Sequence, residues 1–292
     1  MTILATGGTG TVGTRVVAGL AARGANSRVL TRSADKAAAL PAGVEGALGS
    51  LSEPMTLAPA LQGVDRLFLL TPLARDEVDQ GMAAIEAARA AGVERIVFMS
   101  VHHAAEAAHI PHFGSKVEIA RGLELSGIPY TVIEPNSFYQ NDLRVRRPLL
   151  DFGVYPQPLG SVGLNRVDVR DIADAVVAAL LDAGHVGEHY PVVGPDLGTG
   201  EGIAEEWSRA LGKGVVYAGD DLDAWALAAA SMMPEWLVAD LRVMYEHFQA
   251  RGLLATDDDY GRQRRLLGRD PRPFEPFAAE VAAVWKTEPD AA

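Results

Sequence analysis

A short apolar run, Thr2-Ile3-Leu4-Ala5, leads directly into Thr6-Gly7-Gly8-Thr9-Gly10-Thr11-Val12-Gly13, and an amphipathic stretch with Val16, Val17, Leu20 and Ala21 at helical spacing follows. Gly7, Gly10 and Gly13 stand three residues apart. Few chains can use such a loop except as the turn from a buried strand into a helix. Glycine permits a sharp turn and lets a ligand approach the backbone. The helix start then offers unpaired N–H groups and the positive end of a dipole to an anion. The pattern predicts a diphosphate cradle made by Gly7, Thr9, Gly10, Thr11, Val12 and Gly13, and hence a dinucleotide cofactor.

The rest of the chain repeats the alternation. Arg28–Thr31, Val44–Leu48, Arg66–Leu70, Arg95–Ser100 and Tyr130–Ile133 read as strands, with helical patterns between them, notably Asp76–Ala91 and Lys116–Ser126. The strands are near-continuous apolar runs, as a parallel sheet covered on both faces requires. The expected fold class is α/β, a doubly wound parallel sheet of Rossmann type with a smaller, mainly helical C-terminal substrate-binding portion. Residues 1–150 are expected to form the cofactor domain, with a strand at Arg166–Val169 and a helix at Asp171–Leu181 returning to it around 164–182. Residues 183–292 form the cap, in which Glu188–Val193 reads as a late strand, 201–254 as mainly helical, Asp257-Asp258-Asp259 as an acidic turn and Phe277–Trp285 as a terminal helix.

Composition narrows the function. The 292 residues carry 38 acidic and 26 basic side chains, a formal charge of −12, which opposes nucleic acid as a partner. Cysteine is absent, so disulfides, thiolate metal sites and a cysteine nucleophile are excluded. No apolar stretch of about 18 or more residues suggests a membrane span. The start has no basic leader of a signal peptide, and the expected location is the cytoplasm. A small-molecule substrate, and a monomer or homodimer, are expected.

The end of the second strand selects the cofactor. An acidic residue there would grip the ribose hydroxyls of NAD. This chain has Thr31-Arg32-Ser33, with Lys36 one helical turn on. Arg32 can pair with a 2′-phosphate and Lys36 adds charge. NADP(H) is favoured; Asp35 keeps NAD(H) open as the alternative.

These residues carry a resemblance. Ala5–Gly13, Val29-Leu30-Thr31-Arg32, Arg95-Ile96-Val97-Phe98-Met99-Ser100, Ile128–Phe138, Val167–Ala173 and Phe274-Glu275-Pro276-Phe277 together resemble the NmrA-like, atypical branch of the short-chain dehydrogenase/reductase superfamily. The resemblance spans nearly the whole chain and implies a Rossmann domain with a small C-terminal substrate-binding portion. It covers quinone reductases, benzylic-ether reductases and regulators that sense nucleotides without catalysis. Two positions depart from it: Gly49-Ser50 stands where an Asp often faces the adenine, and Glu134 where an Arg is common.

The resemblance also frames the catalytic question. Typical short-chain reductases pair a tyrosine with a lysine four residues later and a serine on the preceding strand. Here Lys116 and Ser100 are in place, but His112 occupies the tyrosine position. Lys116 is expected to order the nicotinamide ribose, and either Lys116 or a histidine, His112 or His103, to supply the proton. Leu70, Thr71, Pro72, Ser100, Val101, Pro135, Asn136, Ser137 and Phe138 close strands at the carboxyl edge and are expected around the cofactor. His103, Phe138 and Tyr139 are the candidates to reach substrate, with packing as the competing role for Tyr139. No metal is expected, because the adjacent His102 and His103 should point apart in an extended chain. The expected activity is NADPH-dependent reduction of a small, largely apolar carbonyl, quinone or conjugated compound; the alternative is a non-catalytic NADP(H)-sensing regulator.

Overall fold

The computed structural model describes residues 1–287. The chain divides into two compact units. The first holds Met1–Pro135, Val169–Val192 and Asp259–Arg269; the second holds Asn136–Asp168, Val193–Asp258 and the chain from Asp270 on. The division falls at Pro135, where the sixth strand ends, rather than near 150, and the segment Asp259–Arg269 returns to the first unit.

In the first unit the elements alternate: β1 (Thr2–Ala5), α1 (Gly13–Ala22), β2 (Asn26–Thr31), α2 (Ala34–Ala38), β3 (Val44–Leu48), α3 (Leu57–Ala60), β4 (Arg66–Leu69), α4 (Glu77–Ala90), β5 (Arg95–Met99), α5 (Pro111–Leu125) and β6 (Tyr130–Pro135). The sheet runs β3-β2-β1-β4-β5-β6 and ends on a seventh strand, His189–Val192; every pairing is parallel. The strand order reverses between β1 and β4. Their carboxyl ends therefore diverge into a crevice, the switch point at which such sheets bind ligands. All five residues of β5 are buried, as are Ile3, Leu4, Leu67, Phe68, Val132 and Ile133, which is why these strands read as unbroken apolar runs.

The second unit contains β7 (Val154–Tyr155), then, after the helix α6 (Val169–Leu181) and strand β8 (His189–Val192) of the first unit, α7 (Gly200–Leu211), β9 (Val216–Tyr217), α8 (Leu222–Ala229) and α9 (Glu235–Arg251). The helix α10 (Asp257–Leu267) spans the change of unit, and α11 (Phe274–Thr287) follows it. β7 and β9 form a small parallel pair.

Two expectations are corrected here. Arg166–Val169 is not a strand: Val167 makes one isolated bridge to Phe138, and α6 starts at Val169. The segment is buried; Val167 donates its N–H to the Ser137 carbonyl at 2.8 Å and accepts from the Tyr139 N–H at 2.9 Å, and side chains hold the rest, Arg166 to Asp142 and Asp168 Oδ1 to the Gln140 amide. Asp257-Asp258-Asp259 is not a turn but the opening of α10; acids there face the positive end of the helix dipole, so the same charge run suits either structure. No helix among the described residues is long and apolar enough to cross a membrane.

Candidate active site

The glycine loop leaves β1 and enters α1. Gly7 has φ +64°, a left-handed conformation, and its carbonyl accepts from the Gly10 N–H at 2.9 Å to close the turn. A Cβ on Gly13 would lie 2.1 Å from the Gly7 carbonyl oxygen, so the helix can start this close to the strand only with glycine there. Val12 caps α1 without a side-chain bond, and the first turn carries no acid. Among the described residues, the N–H groups of Thr11, Val12 and Gly13 have no acceptor. That leaves three donors at a helix start open to an anion. Thr6, which the sequence reading passed over, anchors this corner: its hydroxyl accepts from the Leu70 N–H at 2.7 Å and donates to the Leu70 carbonyl at 2.9 Å, tying β1 to the end of β4.

Beyond β2, Arg32 and Lys36 are exposed, and Ser33 caps α2 by accepting from the Lys36 N–H at 3.2 Å. Two cations thus flank a short helix start beside buried Thr31. Gly49 fits tightly: a Cβ would meet Leu30 and Thr56 at 2.9 and 3.0 Å, which explains the small residue at the end of β3. The donor set fits a dinucleotide that carries an extra phosphate.

Lys116 lies on α5, one turn after His112, so both side chains share a helix face. Its Nζ donates to Thr71 Oγ1 at 2.7 Å and pairs with Glu77 Oε1 at 2.7 Å; Thr71 in turn donates to the same Glu77 oxygen at 2.7 Å. Lys116 is buried, and burial pulls its pKa below the ordinary lysine value while Glu77 pulls it back up. Glu77 was invisible to the sequence reading as a site residue, because a glutamate in the first turn of α4 needs no other explanation than the helix dipole. Ser100 follows β5, is buried, and its N–H donates to the Ile133 carbonyl at 2.8 Å; Val101 is half-buried next to it.

His102 and His103 differ from expectation. His103 has φ +56°, the one non-glycine residue with positive φ among the described residues, and this turn brings the two rings to 3.9 Å between centroids instead of apart. Asp259, 157 residues away, reaches His102 Nε2 at 3.4 Å. Burial and then the charge of His103 push His102 down to about 4, so it is neutral near pH 7. His102, His103 and Asp259 offer ligand atoms within 4.8 Å of one another. The geometric objection to a metal there is thus removed.

In the second unit, Asn136 donates from Nδ2 to the Leu253 carbonyl at 2.8 Å and accepts from the Ser137 N–H at 2.7 Å. Ser137 accepts from Val167, and Phe138 accepts from Arg166 at 3.0 Å through their carbonyls. Tyr139 is buried, its hydroxyl donates to the Arg272 carbonyl at 3.1 Å, and its ring packs on Phe274 and Phe277. The aromatic core of the unit, not open solvent, surrounds it.

A model described as the NmrA-like family matches residues 1–278. The chain belongs to the NmrA-like family. A protein named NAD(P)H azoreductase from Xenophilus azovorans is 36% identical to the chain, with 97% of this chain and 99% of the relative covered. A (4-alkanoyl-5-oxo-2,5-dihydrofuran-3-yl)methyl phosphate reductase from Streptomyces griseus is 33% identical, with 98% and 100% covered. The NADPH complex of an Escherichia coli NADPH-dependent quinone oxidoreductase superposes with a TM-score of 0.86 at 26% identity, covering 96% of this chain and 99% of that one.

Proposed function

We propose that the protein reduces quinone- and dye-like conjugated compounds with NADPH. The observation that carries this reading is the glycine corner: three unpaired N–H groups at a helix start that only Gly13 lets form, followed by Arg32 and Lys36 at the end of β2. Thr11, Val12 and Gly13 bind the diphosphate, and the two cations bind the 2′-phosphate. When bound, the cofactor supplies the hydride. Lys116 and His112 are the groups on α5 that order the ribose and give up a proton, and Lys116 meets that task through a buried ammonium held at a fixed point. Support for the substrate class comes from the relatives named an azoreductase and a quinone oxidoreductase.

The test is loss of nicotinamide absorbance when NADPH is mixed with the protein and a panel of quinones, azo dyes and conjugated carbonyls. Turnover of at least one class, abolished in Lys116→Met, is the expected result. Tight NADPH binding with no turnover across the panel would replace this reading with that of a cofactor sensor, a role compatible with the histidine that stands at the usual tyrosine position.

A further inference from the structure

The Lys116 site contains one group that its function as described does not use. Glu77 is 1% exposed. Its Oε1 takes both the Thr71 hydroxyl and the Lys116 ammonium, while its Oε2 is buried and has no hydrogen-bond partner among the described residues. A buried carboxylate oxygen without a protein partner is costly, so the group calls for a role. The local packing is arranged to bring it in. Gly81, one turn beyond Glu77 on α4, faces Ile119 on α5, and a Cβ at Gly81 would come within 2.7 Å of that side chain. The missing side chain lets the two helices approach closely enough for Glu77 to reach a lysine one turn before Ile119.

We infer that Glu77 is the positioning residue of the site, holding the Lys116 ammonium charged and aimed with one N–H free for a ligand. Two of the three ammonium protons are committed, to Thr71 and to Glu77. The third has no hydrogen-bond acceptor among the described residues, and the lysine side chain keeps 11% of its surface exposed. Around Nζ stand Glu77 from α4, Thr71 beyond β4 and the Phe98 ring of β5, its centroid 5.6 Å away; Glu77 supplies the charge. Without it, burial alone would act on the ammonium and favour the neutral amine. Thr71 accepts from the lysine and donates to the glutamate, so it fixes the direction of both. The inference rests on the role given to Lys116 above, but it makes a claim about the free protein that stands apart from turnover.

The chain has four lysines, Lys36, Lys116, Lys213 and Lys286, so their side-chain resonances can be assigned by substitution. Lysine-labelled protein without cofactor would be titrated by NMR as wild type, Glu77→Gln and Glu77→Asp. The expected result is a Lys116 midpoint lowered by about 1–3 pH units in Glu77→Gln, with a smaller shift in Glu77→Asp, which keeps the charge but withdraws it. An unchanged Lys116 midpoint in Glu77→Gln overturns the inference. Should that variant not fold, Glu77→Asp decides in the same way, by a shift or none. A parallel profile of kcat/KM against pH separates the two levels. If its alkaline limb moves with the NMR midpoint, both the inference and the proton-donor role are supported. If the midpoint moves and the limb does not, Glu77 still governs the lysine, and the donor role of Lys116 falls.

Discussion

Among the described residues each unit contains an ion pair with both partners buried, Asp142 with Arg166 in the second and Glu77 with Lys116 in the first, and these two are finished differently. In the second unit, Asp142 is fully enclosed and both oxygens are used: Oδ1 by Arg166 at 2.8 Å, Gln157 at 2.9 Å and the Tyr155 hydroxyl at 3.1 Å, and Oδ2 by the Trp207 indole at 3.0 Å. Arg166 also donates to the Phe138 and Tyr139 carbonyls. Burial opposes its charge, but Asp142 and Tyr155 outweigh that and raise its pKa. In the first unit, one Glu77 oxygen and one Lys116 proton have no hydrogen-bond partner among the described residues. A saturated network fixes packing and has nothing left to offer; an unsaturated one beside a ligand crevice keeps a donor in reserve. The choice of cation matches. Arginine stays charged under all conditions and suits a permanent strut, whereas a buried lysine can give up a proton.

Breaking the saturated pair should have the largest effect. Asp142→Asn leaves a buried guanidinium uncompensated and should destabilise the fold by about 3–5 kcal/mol, read as the shift in denaturation midpoint. Because Arg166 cannot shed its proton, that loss should be nearly the same at pH 6 and pH 10. Glu77→Gln should behave otherwise. The lysine, already below its ordinary 10.5 through burial, falls further without Glu77. Between that depressed value and 10.5 the unfolded chain binds more protons, so the stability of the variant should rise with pH through this window. Equal pH dependence in the two variants would erase the distinction drawn here.

Smaller effects sharpen the contrast at the cofactor. Gly13→Ala introduces an atom into a 2.1 Å gap; strain of roughly 1–3 kcal/mol should weaken NADPH binding by about tenfold to a hundredfold, measured by calorimetry. Arg32→Ala should weaken NADPH by about tenfold or more, as loss of a charged hydrogen bond implies, and leave NADH nearly unchanged. Thr71→Val removes a relay hydroxyl and should lower stability by about 1 kcal/mol.

The parts of the molecule legible in the sequence are those governed by neighbours along the chain. β1 and β3 fall on Thr2–Ala5 and Val44–Leu48 as read, because apolar runs and glycine turns are local signals. Lys116 is pointed to by the resemblance to short-chain reductases, from its place four residues after His112 on the helix that follows Ser100. Glu77, Asp259 and Thr6 escaped because their importance lies in partners 39, 157 and 64 residues away. The Arg166–Val169 segment misled for a related reason: it is buried like a strand, yet its backbone pairing stops at the single bridge of Val167, and the side chains of Arg166 and Asp168 hold the rest.

The most direct test follows the backbone amides of the glycine corner by NMR as NADPH is added. The account predicts that the N–H signals of Thr11, Val12 and Gly13 shift strongly and saturate together, while the Trp207 indole N–H on Asp142 stays in place. Unmoved amides at those three residues under saturating NADPH would contradict it.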